Sequence, residues 1–533
     1  MNNSEWWRGA VLYQIYPRSF ADSNEDGIGD LAGVTEHLDY VKRLGVDGIW
    51  LSPFFPSPMH DFGYDIYDYR GVDRIFGTLA DFDKLLERAH TLGLKVLIDQ
   101  VWSYTSSEHP WFAESRANSN SPRADWYVWA DAQPDGSPPN NWRSWMGGPA
   151  WTWEPRRRQY YFHNFLAEMP DLNYHCSAVQ DAILDVARFW LERGVDGFRL
   201  DTANFYFHSQ GLEDNPAQKG DYPAQMQRNV YNICQPENLA FLERVRTVLD
   251  GYSNRVTMAE ISSANSLERM VQYTHGNSRL HTAYSFLLLG ERFDPSFIAE
   301  LMQPWQDESS TGGSKSWPTW AFSNHDTVRV ATRWAGNADP QRCQQLMALL
   351  GSLRGTIVLY QGEELGLPES EVPFEQLQDP VGKANWPQNK GRDGCRTPMP
   401  WRHDAHAGGF TTGVPWLAFD DHYRSCAVDL QDADDRSSLN FTRRLLAHRH
   451  RYAEFQLGSF ELIISASTVL AFMRRYQNGA SLVAFNLSPV SNVCHLNADA
   501  NAAGRRIVVG AVSIEGRRIE LGPWSALILS EQA

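Results

Sequence analysis

Gly197-Phe198-Arg199-Leu200-Asp201 is a short apolar run that closes on an acid, and the chain uses the same device twice more. Glu260 follows Val256-Thr257-Met258-Ala259, and Asp326 follows Trp320-Ala321-Phe322-Ser323-Asn324-His325. A buried strand that ends in a carboxylate is poor packing chemistry. Three of them, separated by stretches long enough for a helix or more, predict acids gathered at one rim of a parallel barrel, where strand ends converge. Any one acid, taken singly, reads equally well as a cap for the next helix. Its neighbours argue otherwise. Arg199 precedes Asp201 by two residues, so strand alternation points both side chains to one face. A guanidinium there keeps the carboxylate ionised. His325 adds a donor for sugar hydroxyls. Two converging carboxyls, one ionised and one kept protonated, are what glycosidic bond cleavage requires.

Outward from this stretch the text alternates strand and helix. Val11–Tyr16, Gly45–Ser52 and Leu94–Val101 read as the first three strands, and the runs closing on Asp201 and Glu260 as the fourth and fifth. Leu280–Leu289 holds a sixth, Thr319–Ser323 a seventh and Gly355–Gln361 an eighth, with helices over Leu31–Leu44, Asp81–Leu92, Ala178–Arg193 and Leu439–His450. Eight such units predict an α/β fold, a (β/α)8 TIM barrel, over residues 1–103 and 175–452. Residues 104–174 interrupt it with Trp-, Pro-, Asn- and Gly-rich text that lacks a helical repeat, and predict an inserted, irregular small domain after the third strand. Segments 204–250 and 365–430 read as long coverings of the barrel top. From 453 to 533 short alternating strands, at Thr468–Met473, Ser481–Asn486 and Ser525–Ser530, predict a C-terminal antiparallel β-sandwich.

A length of 533 residues leaves room for about three domains. A net charge of -16 with no Lys/Arg-rich run argues against a nucleic-acid partner. The opening Met1-Asn-Asn-Ser-Glu-Trp-Trp-Arg8 lacks the basic start and apolar run of a secretion signal, and no stretch reaches membrane-spanning length. Six scattered cysteines without a CxxC pair predict reduced thiols in the cytoplasm rather than disulfides or zinc. No organic cofactor is expected, and the chain reads as a monomer or homodimer. One acidic loop stands out. Asp22, Asn24, Asp26, Ile28 and Asp30, with Gly27 at the turn, copy the opening of a calcium loop and predict a structural Ca2+ or Mg2+. Gly33 stands where an EF-hand needs its bidentate Glu, so this is no EF-hand; the plainer reading is a solvated acidic turn.

The motifs also come in a recognisable order: Asp99, Gly-Phe-Arg-Leu-Asp201, Ala-Glu260, Asn-His325-Asp326, Gln-Gly-Glu363-Glu364, and Arg392-Asp-Gly-Cys-Arg-Thr-Pro-Met399. Through nearly its whole length the chain resembles the α-amylase clan of retaining glycoside hydrolases, in the branch of α-glucosidases and oligo-1,6-glucosidases. The resemblance implies Asp201 as nucleophile, Glu260 as general acid and base, and Asp326 as the group that holds ring hydroxyls and steers distortion of the sugar. It implies Arg199 orienting Asp201 with Asp99 behind, Tyr64 and Phe165 stacking on glucose, and Asp65, His325 and Arg392 binding its hydroxyls, with Arg396 an alternative to Arg392. The acidic loop at 22–30 matches the clan's divalent-ion loop. Valine after the nucleophile accompanies α-1,6 preference in this branch, so Thr202 implies maltose-like α-1,4 bonds. One position departs from the pattern: where the clan carries a histidine beside the reactive glucose, this chain has Tyr104, which can donate one hydrogen bond but carries no positive charge.

The expected activity is therefore that of a retaining, exo-acting α-glucosidase on short α-linked glucosides, able to pass glucose to sugar or alcohol acceptors. A transglucosidase or sucrose- or trehalose-directed relative is the near alternative. A catalytically inactive, chaperone-like sugar-binding barrel is the distant one.

Overall fold

The computed structural model describes residues 5–220, 223–305, 316–496 and 504–531. The first four residues of the N-terminal stretch, 221–222 of the 204–250 covering, and 497–503 and 532–533 of the C-terminal segment lie outside the described residues. Eight short strands carry the main body: β1 Val11–Ile15, β2 Gly48–Leu51, β3 Lys95–Gln100, β4 Gly197–Leu200, β5 Val256–Ile261, β6 Thr282–Ser285, β7 Thr319–Ala321 and β8 Thr356–Tyr360. They pair in parallel in the order β7-β8-β1-β2-β3-β4-β5-β6. The two ends of this row meet at a parallel bridge between Ala283 and Pro318, where the Thr282 and Thr319 hydroxyls lie 2.6 Å apart. The sheet is thus a closed barrel, as the eight-strand reading predicts.

Period-two alternation sorts the side chains. Leu12, Trp50, Leu97, Met258, Tyr284, Ala321 and Val358 point inward and fill the barrel. Ile49, Leu51, Val96, Ile98, Phe198, Leu200 and Ile261 point outward against the surrounding helices. Two residues past Leu12, Leu97 and Met258, on the same inward face, stand Gln14, Asp99 and Glu260, all buried. Apolar filling at one level and ionisable groups at the next is how a packed barrel comes to have a reactive end.

Several local expectations need correction. The stretch Leu31–Leu44 is two helices, Leu31–Glu36 and Leu38–Leu44, broken at His37, whose ring is held against Trp401 with centroids 4.0 Å apart. The sixth strand ends at Ser285 and continues as a 3-10 turn over Phe286–Leu289. The insertion is not wholly irregular: it holds the helix Pro110–Ala117 and a three-stranded antiparallel sheet, Trp129–Ala130, Gln159–Phe162 and Trp151–Glu154. Its tryptophans explain this, because Trp142 and Trp151 join Phe162 in a small core of their own. The C-terminal segment forms a five-stranded and a three-stranded antiparallel sheet. Ala471, Ala484 and Leu527 of the first share a core with Cys494, Ile519 and Leu521 of the second, which makes a sandwich. All six cysteines are free thiols.

β4 begins with glycine for a steric reason. A Cβ at Gly197 would lie 2.2 Å from the Val256 carbonyl oxygen of the neighbouring strand. Gly197→Ala is expected to push β5 away and cost about 1–3 kcal/mol, read as a lower thermal midpoint together with reduced turnover, because β4 and β5 carry two of the acids.

Candidate active site

Arg199 is the centre of the site. It is wholly buried inside the barrel, over the face of Trp50. Its Nη1 donates to Asp99 Oδ1 at 2.8 Å and to Asp201 Oδ1 at 2.7 Å, and its Nη2 pairs with Glu260 Oε1 at 2.6 Å. Its Nε and Nη2 both donate to the Tyr284 hydroxyl, at 3.1 and 2.9 Å. Acids separated by long stretches of sequence are therefore gathered on one guanidinium.

The two acids are held differently. Burial raises the Glu260 carboxyl to about 8, against the pull of Arg199 and with the push of Asp201 and Asp326, so it holds a proton at neutral pH. Burial raises Asp201 as well, opposed by Arg199. Each accepts from three donors: Asp201 from Arg199, the Thr202 hydroxyl at 3.1 Å and the Tyr104 hydroxyl at 3.3 Å, and Glu260 from Arg199, the Tyr284 hydroxyl and the Thr202 amide. Asp326 is different again. Burial alone would raise it, but His325 and the guanidiniums of Arg392, at 3.3 Å, and Arg396, at 2.9 Å, outweigh burial and hold it below the usual carboxylate range.

These groups line a cavity of about 470 Å3. Asp201, Glu260 and Asp326 reach it, as do Tyr64, Tyr104, Phe165 and Arg392, all expected there. Phe165 stacks on Phe205 and meets Tyr104 edge-on. Arg392 faces the cavity while Arg396 lies wholly buried behind it, its Nε on the His325 carbonyl at 2.7 Å. Arg199 itself acts from beneath the floor.

Two expectations fail. Asp65 does not line the cavity: it is fully buried, and its oxygens accept the Ser57 hydroxyl and the His60 and Asp61 amides, so it folds its own loop. Asp61 takes the place assigned to it, lining the cavity and pairing with Arg392. The positive φ of Met59 and Phe62 on either side turns it inward, and such a backbone choice leaves little trace in a sequence. His325 is likewise wholly buried, stacked behind Tyr64 at 5.3 Å. Gln14 Nε2 donates to its Nδ1 at 2.7 Å and its Nε2 bonds the Tyr64 hydroxyl, which donates to Asp99 Oδ2 at 3.1 Å. Burial pushes this imidazole down to about 3, so it supports Tyr64 as a neutral ring. Tyr284, unforeseen in the sequence, carries a polar tip at an inward position of β6.

The acidic loop offers the all-oxygen chemistry of a hard divalent cation. Asp22 Oδ2 accepts the Gly27 amide at 2.8 Å, Asn24 Oδ1 the Asp26 amide, and Asp26 Oδ1 the Ile28 amide. Asp30 also caps the following helix through the Gly33 amide at 2.7 Å and accepts both the amide and hydroxyl of Ser23. Asp22, Asn24, Asp26, the Ile28 carbonyl and Asp30 are the oxygen donors this loop would offer such an ion.

Residues 14–458 match the alpha amylase catalytic domain family. The chain is 49% identical over 498 residues to a probable alpha-glucosidase of Rhizobium meliloti (strain 1021), covering 91% of this chain and 90% of that protein. It is 37% identical over 525 residues to an oligo-1,6-glucosidase of Heyndrickxia coagulans, covering 91% and 92%. The crystal structure of the alpha-glucosyl transfer enzyme XgtA matches it with a TM-score of 0.94 and 51% identity over 99% of each chain. The chain belongs to the alpha-amylase family of glycoside hydrolases, among the enzymes that hydrolyse or transfer α-linked glucose. The catalytically inactive alternative falls away. No helix among the described residues is long and apolar enough to cross a membrane.

Tyr104 is one donor of several to Asp201. Tyr104→Phe is expected to lower kcat by about tenfold or less, the scale of one hydrogen bond to a charged group, with the protein still folded; steady-state kinetics on an α-glucoside measure it.

Proposed function

We propose that this protein is a retaining, exo-acting α-glucosidase of short, chiefly α-1,4-linked glucosides. The observation that carries the reading is the convergence of Glu260 and Asp201 on one guanidinium at the floor of a single cavity, with burial pushing the Glu260 carboxyl up to about 8. Asp201 attacks the anomeric carbon while Glu260 gives its proton to the departing oxygen, leaving glucose esterified to Asp201. Glu260, now a carboxylate, deprotonates the incoming molecule, which attacks the same carbon and restores the α configuration. Asp326, held ionised by its arginines, and Asp61 accept hydroxyl hydrogen bonds from the ring, while Tyr64 and Phe165 provide its aromatic walls.

Thr202 bears on linkage. It sits in the left-handed region at φ 41°, its amide on Glu260 Oε2 at 3.0 Å and its hydroxyl on Asp201 and, at 2.6 Å, on Ser103. A hydroxyl-bearing side chain tied down in this way at the cavity wall is in keeping with maltose-like bonds. A second reading, transfer rather than hydrolysis, draws support from the outer cavity wall. Trp145, Met146, Phe205, Phe286 and Val381 line it, a surface that holds an organic acceptor better than it orders water.

A panel of maltose, isomaltose, sucrose and trehalose, with and without an added alcohol, tests the substrate assignment. Maltose is expected to exceed isomaltose in kcat/KM by roughly tenfold or more, a difference of about 1.4 kcal/mol. Equal turnover of isomaltose would sink the linkage claim. Asp201→Asn is expected to lose about 10⁴-fold or more in kcat, and a fluorinated glucosyl substrate should leave its mass on the Asp201 peptide. Undiminished turnover by this variant would remove Asp201 from its role.

We further propose that Asp22, Asn24, Asp26, the Ile28 carbonyl and Asp30 hold a structural Ca2+ or Mg2+. Chelation is expected to lower the thermal midpoint, and added Ca2+ at about 100 times its Kd to restore roughly 2.7 kcal/mol. Asp22→Ala should abolish that response; a chelator-insensitive midpoint in the unaltered protein would remove the ion.

A further inference from the structure

We infer that Tyr284 is a positioning residue that fixes which oxygen of Glu260 carries the catalytic proton and how readily it is released. This deepens, and rests on, the reading of Glu260 as the acid and base. The argument begins with register. Glu260 on β5 is directly paired with Tyr284 on β6, inside the barrel. The Tyr284 side chain is wholly buried, packed against Trp50 with ring centroids 5.9 Å apart.

Its hydroxyl has one proton and is contacted by two obligatory donors, Arg199 Nε and Nη2. An arginine cannot accept, so the phenolic oxygen is the acceptor of both. Its own hydrogen goes to Glu260 Oε1, 3.2 Å away. Burial holds the phenol neutral, its pKa well above the ordinary value. Glu260 Oε1 thus receives the Tyr284 hydroxyl and lies 2.6 Å from Arg199 Nη2. A carboxyl proton on that oxygen would face a permanent cation and a donor already in place. Oε2 accepts a single backbone donor, the Thr202 amide, and retains a free lone pair. The proton therefore resides on Oε2.

The other titratable groups around Glu260 come from every neighbouring element: Asp99 on β3, Arg199 and Asp201 at β4, Asp326 beyond β7, and Tyr104 at the start of the insertion. The donors among them are committed elsewhere: Arg199 to Asp99, Asp201 and the Tyr284 hydroxyl as well as Glu260, and the Tyr104 hydroxyl to Asp201. When Glu260 gives up its proton to the departing oxygen, Tyr284 stabilises the resulting carboxylate at Oε1. When Glu260 takes the proton back from the incoming water or alcohol, the same bond keeps Oε1 occupied and directs the proton to Oε2.

Tyr284→Phe removes that one donor and changes little volume. The alkaline limb of kcat/KM is expected to move upward by about one pH unit, the effect of losing one hydrogen bond to a carboxylate. Turnover of maltose, whose leaving group needs a proton, should fall about tenfold, and that of an activated aryl α-glucoside much less. A limb that stays in place, or an equal loss on both substrates, would reduce Tyr284 to a packing residue. Should Tyr284→Phe fail to fold, a ring-fluorinated tyrosine installed at 284, a stronger donor, is expected to move the limb downward; no movement overturns the inference. Glu260→Gln separates the two claims. Survival of the alkaline limb in that variant would refute the acid assignment itself, whereas its loss, with Tyr284→Phe unshifted, would refute only the role of Tyr284.

Discussion

One buried cation facing three buried carboxyls is the constraint on which the rest of this site depends. Arg199 alone meets Asp99, Asp201 and Glu260. A single positive charge cannot compensate three negative ones in a medium that solvates charge poorly, so protons must stay behind. Glu260 is pushed up to about 8 and Asp99 to about 7, burial being the leading cause in each case. The charge deficit at Arg199 thus leaves all three carboxyls raised above their ordinary values, and Glu260 needs no special device to be a proton donor. Across the cavity the ratio differs. One oxygen of Asp326 meets both Arg392, shared with Asp61 and Asp379, and Arg396, and these charges hold it below the usual carboxylate range.

The barrel makes this concentration of charge possible. Arg199 and Tyr284 occupy inward positions among Leu12, Trp50, Leu97 and Met258, so the guanidinium has apolar filling below and carboxylates above. Thr202 then closes the unit. Its left-handed backbone carries a conformational cost of order 1–3 kcal/mol, and what that conformation secures is an amide aimed at Glu260 and a hydroxyl aimed at Asp201. A single residue beyond β4 therefore ties the two acids together from the side opposite Arg199. The strain is found where both reacting groups are fixed by it.

Most of the frame was legible because it is written in local pattern. Short apolar runs that lead into acids mark strands β3, β4, β5 and β7, and the spacing between them leaves room for helices. What was not legible depends on the path of the backbone between elements. Asp61 and Asp65 lie in one loop, with the same chemistry and four residues apart. Only the left-handed turns at Met59 and Phe62 decide that Asp61 faces the cavity while Asp65 satisfies the amides of its own loop. The same holds for Tyr284, where the reading gave a sixth strand but could not say which of its residues met Glu260 across the sheet. The small sheet within the insertion was hidden for another reason, since its strands are short and their tryptophans read equally as sugar platforms or as core.

Tyr104 shows how burial alters a comparison made from side-chain chemistry alone. Set side by side in water, tyrosine and histidine differ in charge near neutrality, and the exchange looks costly for a site that binds a developing cation. Burial alone does not remove that difference. The enclosed imidazoles of His109, His208 and His325 are all pushed down to about 3, but Arg123 and His175 add to the effect of burial at the first two, whereas the side chain at position 104 is enclosed among the carboxyls of Asp201, Asp61, Glu260 and Asp171. A histidine there would be desolvated to a similar degree and yet drawn toward its charged form by those acids. Tyrosine gives the position a neutral donor aimed at Asp201 Oδ2 and leaves Arg199 as the cation bound to that carboxylate. The exchange thus bears on charge beside Asp201 as well as on shape at the cavity wall, where Tyr104 meets Phe165 edge-on.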